Sequence, residues 1–173
     1  ISKGAFSNCI NLKKVEIPPD TELKNIGKDA FTESGIESFF ISPHLTVLKE
    51  HTFSDCESLT NVEIPSNSQL QTIKRSAFNF ASIESLVIPS TVTDLQDGWC
   101  SGTVYLKKVT ISPKNKNYII VDEKMILGKS NPNNVEFDVL HFVIRDVLLK
   151  NVKIPSFVKI IGTSAFERCI INS

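Results

Sequence analysis

A segment of the form L-x-x-V-x-I followed by proline recurs along the chain and restricts its fold more than any other feature. Its final isoleucine lies at positions 17, 41, 64, 88, 111 and 154, so successive copies are 24, 23, 24, 23 and 43 residues apart. The last interval is close to two periods. Six of the eight prolines follow the segment, either directly after its final isoleucine or one residue later. A period of about 23 residues predicts a solenoid, in which each turn buries its apolar face against its neighbours.

The alternation of residues within each segment predicts a β-strand. In the first copy, Val15 and Ile17 are expected to face the core, while Lys14 and Glu16 face solvent. Because proline has no N–H group, it is expected to end the strand ladder at the same point in every turn. Stacked turns would therefore build one continuous sheet.

A second motif runs in step with the strand segment. It consists of Ile or Leu, three residues, and then usually Ala or Thr followed by Phe; its leading residues lie at positions 1, 26, 48, 73, 95 and 161. The copy from Leu95 to Trp99 is one residue shorter than the others. The phenylalanine is expected to fill the core from the side opposite the strand. The long interval before Phe166 indicates that a turn between Trp99 and Phe166 has lost the motif.

Residues 1–18 combine the two motifs as I-x-x-x-A-F-x-x-C-x-x-L-x-x-V-x-I-P. This form resembles the BspA-like leucine-rich repeats, and the resemblance covers residues 1–113 and 145–173. It implies a leucine-rich-repeat superhelix with a parallel β-sheet on one, concave face and short helical or irregular returns on the other. We therefore divide the chain into leucine-rich repeats at 1–113, a degenerate turn or β-hairpin insertion at 114–144, and a truncated repeat at 145–173.

Residues 114–144 interrupt the repeat. Strands are predicted at 117–122 and 124–127, and a cluster of turn-forming residues follows at 128–134. The alternation of apolar and acidic residues from Val135 to Val139 then predicts a half-buried strand. A hairpin that replaces or extends one turn is expected, and the BspA-like family often interrupts its repeats with a similar N-x-x-Y…D-x-x-x-L segment. The hairpin is either a structural spacer or a projection that contacts a partner.

The cysteines show no arrangement that predicts a disulfide or a metal site. Cys9, Cys56 and Cys169 share one repeat position, whereas Cys100 follows Trp99 and lies outside that register. Two turns place Cys9 and Cys56 about 10 Å apart, which exceeds the roughly 7 Å that a disulfide allows. The in-register cysteines are therefore expected to be buried thiols. The three histidines lie in different turns, and no zinc or catalytic motif is present. Neither a cofactor nor enzymatic activity is expected.

Composition narrows the class of partner. Lys plus Arg and Asp plus Glu each number 19, so the net charge is zero, which argues against nucleic acid or an anionic membrane surface as a partner. No apolar run approaches the roughly 20 residues needed to cross a bilayer, so no membrane insertion is expected within this fragment. A protein ligand or an extracellular-matrix ligand is what the family resemblance implies.

The residues that face solvent on either side of the inward Val and Ile positions form a candidate binding strip. An exposed Phe40 among polar neighbours is either an anchor for a partner or an ordinary isolated apolar residue on the surface, and Val87 is the other apolar member. The strip comprises Lys14, Glu16, Ser38, Phe40, Asn61, Glu63, Ser85, Val87, Lys108, Thr110, Asn151 and Lys153.

The sequence therefore predicts a non-enzymatic module that binds a macromolecule through an extended sheet face. The family resemblance implies adhesion to a host protein or matrix by a cell-surface or secreted protein. An intracellular, cytoplasmic protein–protein scaffold and a structural spacer with no ligand on these turns are the alternatives. The chain is interpreted as a fragment of a longer protein. Its open ends are expected to expose apolar edges, which would allow end-to-end self-association of the fragment.

Overall fold

The computed structural model describes residues 1–144, 152–167 and 169. Within these residues the structure is built from short β-strands and turns, and no helix is found. The strands are β1 Ser38–Phe40, β2 Val47–Leu48, β3 Asn61–Glu63, β4 Thr72–Ile73, β5 Ser85–Ile88, β6 Asp94–Leu95, β7 Lys108–Ile111, β8 Tyr118–Val121, β9 Met125–Gly128, β10 Val139–Val143 and β11 Ile160–Ile161.

The L-x-x-V-x-I segments stack in parallel, as expected, but in separate two-stranded sheets rather than one continuous sheet. We call these segments together the first ladder. Strand β1 pairs with β3, and β5 pairs with β7. A bridge between Lys14 and Ser38 adds the first copy of the segment to this ladder. The central residues Val62, Leu86 and Val109 are buried, because alternate side chains of each strand point into the solenoid.

A second parallel ladder lies on the return side of each turn, where irregular structure or a helix was expected. It joins β2, β4 and β6, each of which is two residues long. The leading residues of the second motif, Leu48, Ile73 and Leu95, occupy these strands and are buried. Each regular turn therefore contains two short strands joined by irregular corners, and the core lies between the two ladders.

The corner after each second-ladder position has a repeated backbone conformation. Two residues, four positions apart, adopt left-handed φ angles between 53° and 74°. Most of these positions carry Gly, Asn or Asp, the residues that tolerate this region best. The pairs are Gly4 and Asn8, Asp29 and Glu33, His51 and Asp55, Ser76 and Phe80, and Gly98 and Gly102.

Aromatic rings form a column through the core, as the Ala-Phe motif predicts. Four phenylalanine rings stack with centroids 5.1, 5.4 and 5.5 Å apart. Two edge-to-face contacts of 6.2 and 5.9 Å extend the column into the insertion. The core therefore continues through the segment where the repeat pattern fails. The members of the column are, in order, Phe6, Phe31, Phe53, Phe78, Trp99 and Phe142.

The shortened copy at Trp99 keeps the backbone register of the other turns. The Phe53 N–H donates to Ala77 O, and the Phe78 N–H donates to Trp99 O. Trp99 therefore takes the place of the alanine, and Cys100 takes the place of the phenylalanine. Because indole is larger than a methyl group, Trp99 fills the core from the neighbouring position, and both residues are buried.

The insertion forms the expected hairpin and adds a third strand. Strands β8 and β9 pair antiparallel, β9 and β10 pair antiparallel, and β10 pairs parallel with β11. The half-buried strand predicted from Val135 to Val139 is wrong, because the strand begins at Val139 and Val135 is 91% exposed. Asp138 instead closes the loop, since its carboxylate accepts hydrogen bonds from Ser130 N (2.8 Å) and Ser130 Oγ (2.7 Å).

The buried side chain of Asn115 joins the last regular turn to the hairpin. Its Nδ2 donates to Pro89 O (2.9 Å) and Val92 O (3.1 Å). Its Oδ1 accepts hydrogen bonds from Asn117 N (2.8 Å) and Tyr118 N (2.9 Å). One amide therefore satisfies backbone groups on both sides of the junction, which buried polar groups require.

The return corners on either side of the insertion contact each other directly. Asp97 Oδ2 accepts hydrogen bonds from Thr163 N (3.2 Å) and Thr163 Oγ1 (3.3 Å), across a separation of 66 residues. Ser101 also donates to the Glu167 carboxylate. The motifs at Leu95 and Ile161 are 66 residues, or three repeat periods, apart in sequence. The corners that follow them are nevertheless direct neighbours in space.

Candidate ligand-binding face

The first ladder brings together the strip residues between Lys14 and Thr110, whereas none of its pairings includes Lys153. Its register pairs Ser38 with Asn61, Phe40 with Glu63, Ser85 with Lys108, and Val87 with Thr110. Each of these side chains is exposed or half-buried, as are Lys14, Glu16 and Lys153. Asn151 lies outside the described residues. The described residues of the strip therefore all face solvent.

One of the two apolar members of the strip, Phe40, differs in exposure from what the sequence suggested. Val87 is 49% exposed, as expected. Phe40 is only half-buried rather than projecting from the face. Its ring lines a cleft together with residues of the neighbouring strand segments.

This cleft crosses three neighbouring strand segments at one end of the strip. Its volume is about 470 Å³, and Pro18 and Pro19 are among the residues that line it. Within it, Lys14 Nζ lies 3.0 Å from Glu16 Oε1. The strip residues that line the cleft are Lys14, Glu16, Ser38, Phe40, Asn61 and Glu63.

An exposed apolar ridge on the edge between the returns and the first ladder was not predicted. Phe80, Val104 and Tyr105 are 38%, 49% and 55% exposed. Phe80 adopts a left-handed φ of 53°, which is unusual for a bulky residue. Its ring lies against Gly102, where an added Cβ would come within 2.5 Å of Phe80 Cδ1. The sequence signal was an apolar residue at positions where the repeat does not require one.

None of the four cysteines, all of which lie in the described part of the chain, forms a disulfide. Cys56 is buried, as predicted, and its thiol donates to Phe31 O at 3.0 Å. Burial raises the pKa of the Cys56 thiol to about 11, so it carries no thiolate near neutral pH. Cys9 and Cys169 are only half-buried, because each belongs to a turn that has a neighbour on one side.

His141 in β10 sits beside the corner formed by Asp97. Its side chain is 15% exposed, and Nδ1 lies 3.3 Å from Asp97 Oδ1 without the alignment of a hydrogen bond. Burial lowers the pKa of His141, while the nearby Asp97 opposes that shift. Since Asp97 also holds Thr163, we interpret this group as a contact that fastens the insertion to the adjoining corners.

Residues 1–144, 152–167 and 169 contain neither a cluster of metal ligands nor a membrane-spanning helix. In these ranges, no group of three or more His, Cys, Asp or Glu side chains is placed to hold a metal ion. Over the same ranges, no helix has the length and apolar character required to span a bilayer.

The stacked turns, the twin parallel ladders and the aromatic column define a leucine-rich-repeat solenoid. The family model described as BspA type leucine rich repeat region matches residues 1–120 and 141–173 in six copies. The chain belongs to this family. No curated protein matches the chain in sequence.

Solved structures of bacterial proteins share the fold. The pneumococcal vaccine antigen PcpA is 22% identical over 98% of this chain, with a TM-score of 0.85. A leucine rich cell surface protein from Faecalibacterium prausnitzii A2-165 is 25% identical over 98% of this chain, with a TM-score of 0.73. A leucine-rich repeat protein from Eubacterium ventriosum ATCC 27560 is 20% identical over 83%, with a TM-score of 0.64. The chain spans 40%, 49% and 42% of these three proteins, respectively.

Proposed function

We propose that the chain is a non-enzymatic module that binds a protein or extracellular-matrix ligand at the cell surface through the strip on its first ladder. The observation that carries the proposal is the register, which aligns the outward side chains of successive turns in rows. The description of the Faecalibacterium prausnitzii protein as a cell surface protein supports the location.

The physical basis for binding is that the strip is displayed on a rigid support. Its outward residues are held by strands whose inward neighbours, such as Phe39, Val62 and Leu86, are buried. A preorganised surface loses little conformational entropy when it binds a partner. Repeated turns also present an extended area, which suits a macromolecule better than a small substrate.

The test is binding of the purified chain to a panel of extracellular-matrix proteins and to intact epithelial cells. A Phe40→Glu/Ser85→Glu variant places two carboxylates on the strip. A Gln71→Glu/Thr93→Glu variant adds the same charge at exposed positions on the second ladder and serves as the matched control. Circular dichroism establishes that all three proteins are folded.

Adhesion through the strip predicts that the strip variant loses binding while the control retains it. Binding that survives in both variants would place the ligand elsewhere on the molecule. If none of the folded proteins binds the panel or the cells, the adhesion proposal fails, and an intracellular scaffold or a spacer becomes the better explanation.

A further inference from the structure

One row of the strip alternates acidic and apolar side chains across neighbouring strands. Phe40 is paired with Glu63 in the parallel register. The bridge between Lys14 and Ser38 places Glu16 beside Phe40 on the other side, two residues further along both segments. Neighbouring strands are about 4.8 Å apart. The backbone positions of Glu16 and Glu63 are therefore about 10 Å apart, on either side of the half-buried Phe40.

The charge in the cleft is unbalanced. Lys14 contributes one positive charge, and Glu16 and Glu63 contribute two negative charges, so the lining carries a net charge of −1. Lys14 is already paired with Glu16 at 3.0 Å. The Glu63 carboxylate has neither an ion pair nor a hydrogen bond to any described residue, and Glu63 is exposed. A positively charged group would therefore find an unpaired carboxylate next to an aromatic ring.

We propose that this cleft receives an arginine or lysine side chain of the partner polypeptide, with the cation over the Phe40 ring and against the Glu63 carboxylate. The inference rests on the proposed function, because it specifies which chemistry the sheet face recognises. A cation within about 6 Å of a ring centroid is attracted by the ring face. Arginine fits better than lysine, since its planar guanidinium can stack on the ring and donate two parallel hydrogen bonds to a carboxylate.

The side chains around the ring extend the same recognition to the peptide backbone. Ser38 and Asn61 are paired in the row beside Phe40 and Glu63 and line the same cleft. Hydroxyl and amide groups can donate to and accept from a peptide main chain. A neutral carbohydrate would gain less here, because its hydroxyl groups can donate to the Glu63 carboxylate but supply no opposite charge.

The test is a titration of the ¹⁵N-labelled chain with N-acetyl-arginine amide, followed by backbone amide chemical shifts. N-acetyl-citrulline amide has nearly the same shape without the charge and is the matched probe. N-acetylglucosamine is the carbohydrate probe. The arginine probe is expected to cause saturable shifts at Ser38–Phe40 and Asn61–Glu63, with at least about fivefold tighter binding than the citrulline probe.

Two variants test the assigned contacts. Glu63→Gln removes the charge from an exposed side chain, and Phe40→Leu removes the ring while keeping an apolar group; each is expected to weaken binding of the arginine probe about fivefold. Glu57→Gln, at an exposed position on the edge between the returns and the first ladder, is the control and should leave binding unchanged. Higher ionic strength should weaken binding of the arginine probe.

Equal binding of the arginine and citrulline probes, or the absence of saturable shifts in the folded protein, would overturn the inference. Saturable shifts with N-acetylglucosamine alone would assign the cleft to carbohydrate. The matrix and cell assay separates this inference from the proposed function. Binding to matrix or cells without an arginine response leaves the proposed function standing and removes the inference, whereas the opposite pattern removes adhesion and keeps the cleft.

Discussion

Replacement of Asn115 by alanine should be among the most destabilising single changes that avoid the apolar core. The native amide makes four hydrogen bonds of 2.8 to 3.1 Å, and two of them, to Val92 O and from Tyr118 N, are buried. A buried polar group left without a partner costs about 1–3 kcal/mol. Loss of the two buried bonds should therefore reduce the free energy of unfolding by about 2–6 kcal/mol.

Asn115→Asp tests the direction of the same hydrogen bonds. A carboxylate keeps the acceptor for Asn117 N and Tyr118 N, but it places an oxygen against Pro89 O and Val92 O, where the native amide donates. We expect a loss of stability at neutral pH that is comparable to that of the alanine variant. Part of the loss should be recovered at acidic pH, where the protonated carboxyl can donate again.

Urea unfolding followed by the fluorescence of Trp99 measures these changes. Trp99 is the only tryptophan and is 1% exposed, so its emission should report unfolding of the core next to the junction. Asn117→Ala is the control, because the Asn117 contact to Asn115 comes from the backbone N–H and survives the substitution. If Asn115→Ala costs less than about 1 kcal/mol, or no more than Asn117→Ala, the reasoning about the junction is wrong.

Two other predictions concern the stacked core and its thiol. Phe53→Ala should lower the free energy of unfolding by about 3–5 kcal/mol, because the ring is fully buried and packs against three other rings. Phe6→Ala should cost clearly less, since Phe6 is half-buried with one ring partner; equal costs in urea unfolding would contradict a core built by stacking. Burial raises the pKa of the Cys56 thiol to about 11 in the native state, against 9.0 for an ordinary thiol. The thiol therefore ionises first in the unfolded state, and the free energy of unfolding should fall as the pH rises from about 9 to 11. Cys56→Ser should abolish that part of the pH dependence, and an unchanged slope in the serine variant would show that another group is responsible.

The sequence predicted the first ladder correctly because stacking imposes the same demand on every turn. Val62, Leu86 and Val109 recur at one position since each must be buried between neighbouring strands. The second ladder was missed because its strands are only two residues long. An alternation cannot be recognised over two residues.

The insertion was predicted less well because no repetition supports its interpretation. Val135 and Phe137 alternate with acidic residues, which is the pattern of a half-buried strand. Asp138, however, is buried in the closed loop, where its carboxylate accepts hydrogen bonds from Ser130. The alternation therefore reflects a local polar contact that depends on where the chain folds back. The four-bonded role of Asn115 was likewise not visible, because two of its partners, Pro89 and Val92, are more than 20 residues away.

The same physics explains why the candidate binding row could be located more securely than its ligand. Inward positions are restricted by burial, so their residue types report the fold. Outward positions face water, and folding alone would accept many polar residues there. In the row of Glu16, Phe40 and Glu63, a serine in place of Phe40 would separate the two carboxylates equally well, and like charges on directly opposed positions are destabilising. The charge spacing can therefore be explained by folding, and phenylalanine is one of several residue types that a half-buried strand position accepts. What the row indicates about a partner therefore depends on the ring and the Glu63 carboxylate acting together, which the variants Phe40→Leu and Glu63→Gln test separately.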